Sequence, residues 1–301
     1  MNKLVVKHNS LIDASFNLSL IEQRIMLLAI VEGRELPELT SNTPIEIKAT
    51  AYKEQYNVDD SEAYKQLKNA GKTLKRREFT YLDVYQDVPA YSTVGWINKI
   101  TYVPSKGMIV LKLSDEVIEL ITRLESHFTR YHLNQVSGLS SKYSIRLYEL
   151  VLKWISNGKT QRYEISDLRE KLGILDRQYK SVSYLKRDVL DKCLEEINLK
   201  TNLIISFETF KEGRVITHIQ FKMKTKDEPK QQNKKVQSLT LKQIDMFSDK
   251  LSKLESFQSH FVADVGQSSE DYSKKIASKL QDTFYQNEWL PFMLEAGFTP
   301  K

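Results

Sequence analysis

The sequence predicts an α+β chain in which one structural unit is used twice, followed by a small helical tail. Three observations carry this prediction. Residues 43–86 and 161–210 repeat one pattern at an offset of 118, which relates Ile47 to Ile165, Leu67 to Leu185 and Phe79 to Ile197. Each copy follows a helical run and precedes strands that can close as a hairpin. A polar, Lys-rich stretch, 224-KTKDEPKQQNKKVQS-238, then divides the duplicated body from an end of different charge.

The elements follow in order. Ser19 and Glu22 have the spacing of a capping box, with Leu18, Ile21, Ile25 and Leu28 on one helical face behind them. The first copy opens on the alternating 43-TPIEIK-48 and continues as a helix, 49-ATAYKEQYNV-58. After a polar break comes a longer amphipathic helix, 61-SEAYKQLKNAGKTLKRREF-79. Strands 96-WINKITYV-103 and 108-MIVLKL-113 flank a turn from Pro104 to Gly107. The second copy is introduced by 141-SKYSIRLYELVLKWIS-156, with Ile145, Tyr148, Val151, Leu152 and Ile155 at helical spacing. It runs through 161-QRYEIS-166, 166-SDLREKLGI-174 and 179-YKSVSYLKRDVLDKCLEEIN-198. Its hairpin joins 203-LIISFETF-210 to 215-VITHIQFKMK-224 through 211-KEGR-214, where Gly213 supplies the positive φ of the turn. Helix, short strand, helix, helix, strand, hairpin and strand is the order of a winged helix, a helix-turn-helix variant whose hairpin is the wing. Two in tandem, with a pseudo-twofold internal repeat, are the expected architecture. The expected division is residues 1–135, residues 136–225, a linker at 226–239 and a helical tail at 240–301. Within the tail, 240–257 and 270–285 read as helical, and 289-WLPFMLEAGF-298 reads as a small docking helix.

At 301 residues and 35.1 kDa, with 28% charged and 41% hydrophobic residues, the chain has room for two ordinary domains and is not mainly disordered. Its lone cysteine, Cys193, excludes the disulfide-stapled secreted class and sits at helical spacing with Val189, Leu190 and Ile197, as a buried structural thiol would. No segment reaches the roughly 18 apolar residues of a membrane span, and MNKLVVKHNSLIDASF lacks the apolar core of a signal peptide. A cytoplasmic protein without membrane contact is expected.

The net charge of +6 is unevenly placed. Residues 236–301 hold nine acids and seven bases, while residues 1–235 hold 38 bases and 30 acids, so the body carries +8 and the tail −2. In the first copy, Lys65, Lys68, Lys72, Lys75, Arg76 and Arg77 lie in an acid-free run, 65–77. In the second, Arg177, Lys180, Lys186 and Arg187 lie in another, 177–187, among Ser181, Ser183 and Tyr184. Lysine is the ordinary filler of a solvated helix face, and for either helix alone that is sufficient. Acid-free cationic runs at matching places in two copies point instead to duplex DNA, with a helix in the major groove and cations along the phosphates. Lys106 in the first hairpin turn, and Lys211 and Arg214 in the second, are placed to touch backbone or minor groove.

Catalytic constellations fail. The triplets Gly71-Lys72-Thr73 and Gly158-Lys159-Thr160 have Gln66 and Lys153 where a phosphate-binding loop needs its first glycine. A strand-nicking initiator needs two His around one apolar residue, and His8, His127, His132, His218 and His260 never form that pattern. The spacing in 127-HFTRYH-132 would put its two His on different helix faces. A non-enzymatic protein without metal or cofactor is expected.

Several stretches carry a family resemblance: 18-LSLIEQRIMLLAI-30, 138-GLSSKYSIRLYELVLKW-154, 167-DLREKLGI-174, 185-LKRDVLDKCLEEIN-198 and 213-GRVITHIQFKMK-224. Through them, over about residues 1–225, the chain resembles the RepB-type initiator replication proteins of iteron-carrying theta plasmids. It is especially similar to those of small Acinetobacter-type plasmids and related small circular DNAs. The resemblance implies two winged helices that bind repeated origin DNA as a monomer, and dimers, formed through the N-terminal domain, that repress their own promoter. It also implies opening of an AT-rich segment and recruitment of the host initiator and replicative helicase. The helix from Lys180 would be the main reader, with Ser61–Arg77 at the other end of the site. The tail departs from the best-described members, which end soon after the second domain, although its Trp289-to-Phe298 ending is similar to that of close relatives. A winged-helix transcriptional regulator without a replication role fits the same DNA-binding surface.

Overall fold

A closed capping box starts the central helix of the first half. The Ser19 backbone N–H donates to Glu22 Oε2 at 2.7 Å, and the Glu22 N–H donates to Ser19 Oγ at 3.2 Å. The computed structural model describes residues 3–36, 38–122, 127–226, 239–258, 261 and 268–298. Ahead of that helix come β1 (Leu4–His8), α1 (Asn9–Asp13) and β2 (Ser15–Phe16); the helix itself is α2 (Leu20–Arg34). α2 is buried on every side from Glu22 to Val31, so it forms the axis of the first half instead of lying on its surface.

The first winged helix then follows as β3 (Ile45–Lys48), α3 (Ala49–Tyr56), α4 (Asp60–Thr73), a hairpin of β4 (Glu78–Tyr85) and β5 (Val88–Gly95), β6 (Ile97–Val103) and β7 (Met108–Leu113). The junction is α5 (Asp115–Glu119), β8 (Phe128–His132) and α6 (Asn134–Ser137). The second winged helix is α7 (Lys142–Leu152), β9 (Tyr163–Glu164), α8 (Ile165–Lys171), α9 (Val182–Leu185), α10 (Asp191–Lys200), β10 (Leu203–Glu212) and β11 (Val215–Thr225). A π-helical turn, Lys186–Leu190, joins α9 to α10.

The duplication extends to strand order. One sheet runs β3-β7-β6 and the other β9-β11-β10, all antiparallel. Ile45 pairs with Leu111 in the first and Tyr163 with Ile219 in the second, and Ile45 and Tyr163 stand at the offset of 118. Gly213, at φ 61°, makes the wing turn of the second sheet.

Two expectations fail at the end of the first long helix. α4 stops at Thr73 and a 3-10 turn covers Leu74–Arg76, so Phe79 lies in β4 and has no helical counterpart to Ile197. Beyond it, Glu78–Gly95 forms a hairpin with no equivalent in the second copy. Its two turn residues, Gln86 and Asp87, have φ of 50° and 64°. The alternation of Phe79, Tyr81 and Asp83 with Thr80, Leu82 and Val84 suits a strand better than a helix. The pair His127 and His132 is also corrected: β8 is a strand, not a helix.

A single hydrophobic core runs through both winged helices, from Val5 to Met223. The chain divides into a unit ending at Lys226 and a second beginning at Asp227. The second contains α11 (Leu241–Ser252), α12 (Glu255–Gln258), α13 (Ser269–Leu280), α14 (Thr283–Glu288) and α15 (Leu290–Glu295). These helices have their own core, in which Trp289, Met293 and Phe298 join Phe247, Phe257 and Ile276. The apolar ending is therefore part of a small helical domain's interior, not a lone docking helix. Most of the expected linker, 227–238, lies outside the described residues.

Candidate nucleic-acid interface

In the first winged helix the turn before α4 is closed by Asn57 in the left-handed region (φ 50°) and by Lys53 Nζ donating to Asp60 at 2.8 Å. Tyr52, fully buried on α3, donates its hydroxyl to Gln66 Oε1 on α4 at 2.7 Å. Ala63, Leu67, Ala70 and Leu74 face the core, which leaves Lys65, Lys68 and Lys72 together on the solvent side with Lys75 and Arg76. Lys65 stands 3.9 Å from Glu62, a loose pair, and Lys75 Nζ donates to the Ile97 carbonyl at 3.2 Å.

Arg77 is placed differently. Its Nε donates to both oxygens of buried Glu22, at 2.9 and 3.0 Å, and Thr73 Oγ1 donates to Glu22 Oε1 at 2.6 Å. Burial pushes the Glu22 carboxyl upward, but the hydrogen bonds from Arg77, Thr73 and Ser19 prevail and hold it below the ordinary value. The Ser19 cap and the end of α4 thus meet on one carboxylate. The wing at Pro104–Gly107 leans on the same helix, with the Tyr64 hydroxyl donating to the Pro104 carbonyl at 3.2 Å, and Lys106 is exposed.

In the second winged helix one side chain braces the turn. The Arg169 guanidinium donates to the carbonyls of Tyr179 (2.8 Å), Gln178 (2.7 Å) and Leu175 (3.1 Å), while Tyr179 takes φ 45°. The long helix starts one turn later than Tyr179, where the Ser181 hydroxyl accepts from the Tyr184 N–H at 3.2 Å. Leu185, Val189, Leu190, Cys193 and Ile197 are buried, and burial pushes the Cys193 thiol up to about 12, an inert structural position. Ser183, Tyr184 and Arg187 are exposed along the opposite edge, with Arg177 and Lys180 exposed in the turn before them. Arg187 donates from Nε and Nη2 to Asp188, both at 2.8 Å, and lies over the Tyr184 ring at 5.1 Å. Lys186 Nζ is 5.7 Å from the Phe207 ring on β10. Lys211 and Arg214 are exposed at the wing tip.

The structure therefore places the predicted residues on the two helix-turn-helix elements and their wings, except that Arg77 is turned to buried Glu22 and Lys75 is tied to the Ile97 carbonyl. Sequence reasoning missed Glu22, Arg169 and Asp188 as groups that position or neutralise these cations. Asp188 was visible as the first acid after the run; Arg169 acts through main-chain carbonyls, which leave no residue pattern. Among the described residues no group of His, Cys, Asp and Glu could hold a metal ion, and no helix is long and apolar enough to cross a membrane.

Residues 4–152 match the family model described as initiator replication protein, WH1, and residues 164–223 match initiator Rep protein, WH2. The chain belongs to the initiator replication protein family. This initiator is 29% identical to the PI protein of Escherichia coli over 252 residues, covering 73% of this chain and 82% of that one. It is 24% identical over 300 residues to an Escherichia coli replication initiation protein, covering 97% of this chain and 90% of the relative. That match runs into the helical tail, so the tail is not a departure from every relative of this initiator. Its fold is similar to the crystal structure of Pi initiator protein in complex with iteron DNA, with a TM-score of 0.63 at 25% identity, covering 75% of this chain and 99% of that one. Membership favours replication initiation over a transcriptional regulator without a replication role.

Proposed function

We propose that this initiator binds the iterons of its plasmid origin through both winged helices, without catalysis, metal or cofactor, in the cytoplasm. The observation that carries the reading is the likeness to the Pi initiator seen with iteron DNA, over nearly the whole of that chain. Exposed cations at corresponding places in the two copies, along α4 in the first and in the turn before α9 and at Arg187 in the second, support it. The helix that starts after Ser181, and not from Lys180, is the main reader, with Ser183, Tyr184, Lys186 and Arg187 along it, Ser181 at its cap, Arg177 and Lys180 in the turn before it and Lys211 and Arg214 at its wing. In the first copy Lys65, Lys68, Lys72, Lys75 and Arg76 face phosphates, and Arg77 fixes the helix end. Residues 1–135 act in DNA binding and self-association, residues 136–225 in reading the iteron, and 240–301 as a separate helical domain joined by 226–239. Bound to the origin, the protein opens the neighbouring duplex and recruits the host initiator and replicative helicase; as a dimer it represses its own promoter.

Footprinting on the DNA upstream of the gene tests the reading. Protection of repeats of about 20 base pairs, two helical turns for two domains, is expected. Protection confined to one short segment per repeat would overturn the use of both domains. Autonomous replication of a plasmid carrying only the gene and these repeats tests the initiator role itself.

A further inference from the structure

The seam between the two winged helices is built around a cluster of buried charged side chains with Arg146 at its centre. Arg146, on α7 at the start of the second winged helix, is 1% exposed. Its Nη2 donates to the carbonyls of Ile12 and Ala14, both at 2.9 Å, in the segment whose β2 pairs with β4 of the first winged helix. Its Nε and Nη2 also donate to the Lys171 carbonyl at 3.1 and 3.0 Å, at the end of α8, just before the turn that presents the second helix. Its Nη1 donates to Glu149 Oε2 at 3.1 Å. The other Glu149 oxygen accepts from Lys7 Nζ on β1 at 2.6 Å and from the Tyr131 hydroxyl on β8 at 2.5 Å. The guanidinium lies over the Phe16 ring at 4.0 Å.

Two residues beyond Lys171, Gly173 sits at φ 67°, and a Cβ there would fall 2.2 Å from the Phe16 carbonyl oxygen. The backbone of the first winged helix thus lies directly against the helix-turn-helix of the second, and only glycine leaves room for it. Lys142 Nζ donates across the same seam to Asn17 Oδ1 at 2.6 Å. Buried apolar contact alone would hold the units together while tolerating sliding. Charge-assisted hydrogen bonds to fixed carbonyls define direction as well as distance.

Resting on the reading that both presented helices address DNA, we propose that Arg146, with Gly173, is a positioning residue. It fixes the separation of the two reading helices and so sets the spacing the protein accepts between the two contacted segments of its site. Inserting two base pairs moves one segment by about 7 Å and turns it by about 70°. A pair of domains on a loose tether would follow that displacement; a pair locked through Arg146 cannot.

The test titrates the full-length protein against its own repeat and against repeats with one or two base pairs inserted between the two footprinted segments. The wild type should bind the two-pair insertion about 30-fold more weakly, the order of a lost set of base contacts. Arg146→Lys keeps the charge but cannot span the three carbonyls, and Gly173→Ala pushes the Phe16 backbone away. In each, provided circular dichroism shows a folded chain, the insertion penalty should fall to within about fivefold, with a smaller loss on the parent repeat. A merely structural role would lower affinity for all three DNAs alike. Should Arg146→Lys fail to fold, Gly173→Ala and Lys142→Ala decide the matter. Folded variants that keep the full wild-type penalty would overturn the proposal, as would a wild type indifferent to the insertion. A wild type that protects only one segment of the parent repeat would overturn the two-helix reading beneath it, a separate and distinguishable failure.

Discussion

The two winged helices share strand order and offset, yet they fasten and arm their presented helices differently. In the first, the far end of α4 is pinned, through Thr73 and Arg77, to a carboxylate buried under the start of α2. Lys65, Lys68 and Lys72 stay open to solvent, with Glu62 no closer than 3.9 Å to Lys65. In the second, the near end is braced by Arg169 and the helix's exposed arginine, Arg187, is already engaged by Asp188. Open lysines are point charges suited to phosphates. A guanidinium held in plane beside a serine and a tyrosine is suited to base edges. On the proposed reading, one unit used twice supplies grip in the first copy and discrimination in the second.

The largest effect that would break this comparison is loss of the first pin. Glu22→Ala leaves Arg77, Thr73 and the Ser19 N–H without their shared acceptor and should cost about 3 kcal/mol of stability, read by urea unfolding of the Met1–Lys226 unit. Next comes the second brace. Arg169→Lys keeps the charge but not the three-carbonyl clamp, and should weaken binding to the cognate repeat about tenfold while leaving scrambled DNA nearly unchanged.

A smaller effect is expected with pH. Glu196 on α10 accepts from the Ser140 N–H and hydroxyl, both at 2.7 Å, and from Lys200 at 2.9 Å. Burial alone would raise its carboxyl, but the Ser144 hydroxyl beside it, with Ser140 and Lys200, holds it down at about 2. Because the folded value lies below the unfolded value of 4.5, its contribution is complete above pH 4.5 and is lost as pH falls toward 2. Acid unfolding of the Glu196→Gln variant should lose that part of the pH dependence and keep the rest.

What was legible in the sequence was whatever physics writes at short range. The Ser19–Glu22 box, the alternation along Val215–Thr225 and the repeat from Ile47 to Ile165 each depend on neighbours a few residues away or on one duplicated pattern. The hairpin Glu78–Gly95 was obscured because the basic stretch before it continues a helical spacing that the structure abandons at Thr73. Arg146 and Arg169 leave no signal in the sequence, since their acceptors are main-chain carbonyls up to 134 residues away and any residue type could supply them. The cationic runs were legible as composition. Their division into open lysines and a paired arginine was not, because it depends on where Glu22 and Asp188 end up.

The central claim, grip from one copy and discrimination from the other, is tested most directly by salt titrations of cognate and scrambled DNA with two variants. Lys65→Gln/Lys68→Gln/Lys72→Gln should reduce the slope of log affinity against log salt by about 2 to 3 on both DNAs and leave the cognate-to-scrambled ratio intact. Arg187→Ala should collapse that ratio about tenfold or more with a slope change of at most about 1. The reverse pattern, a ratio lost with the lysines and a slope lost with Arg187, would contradict the account.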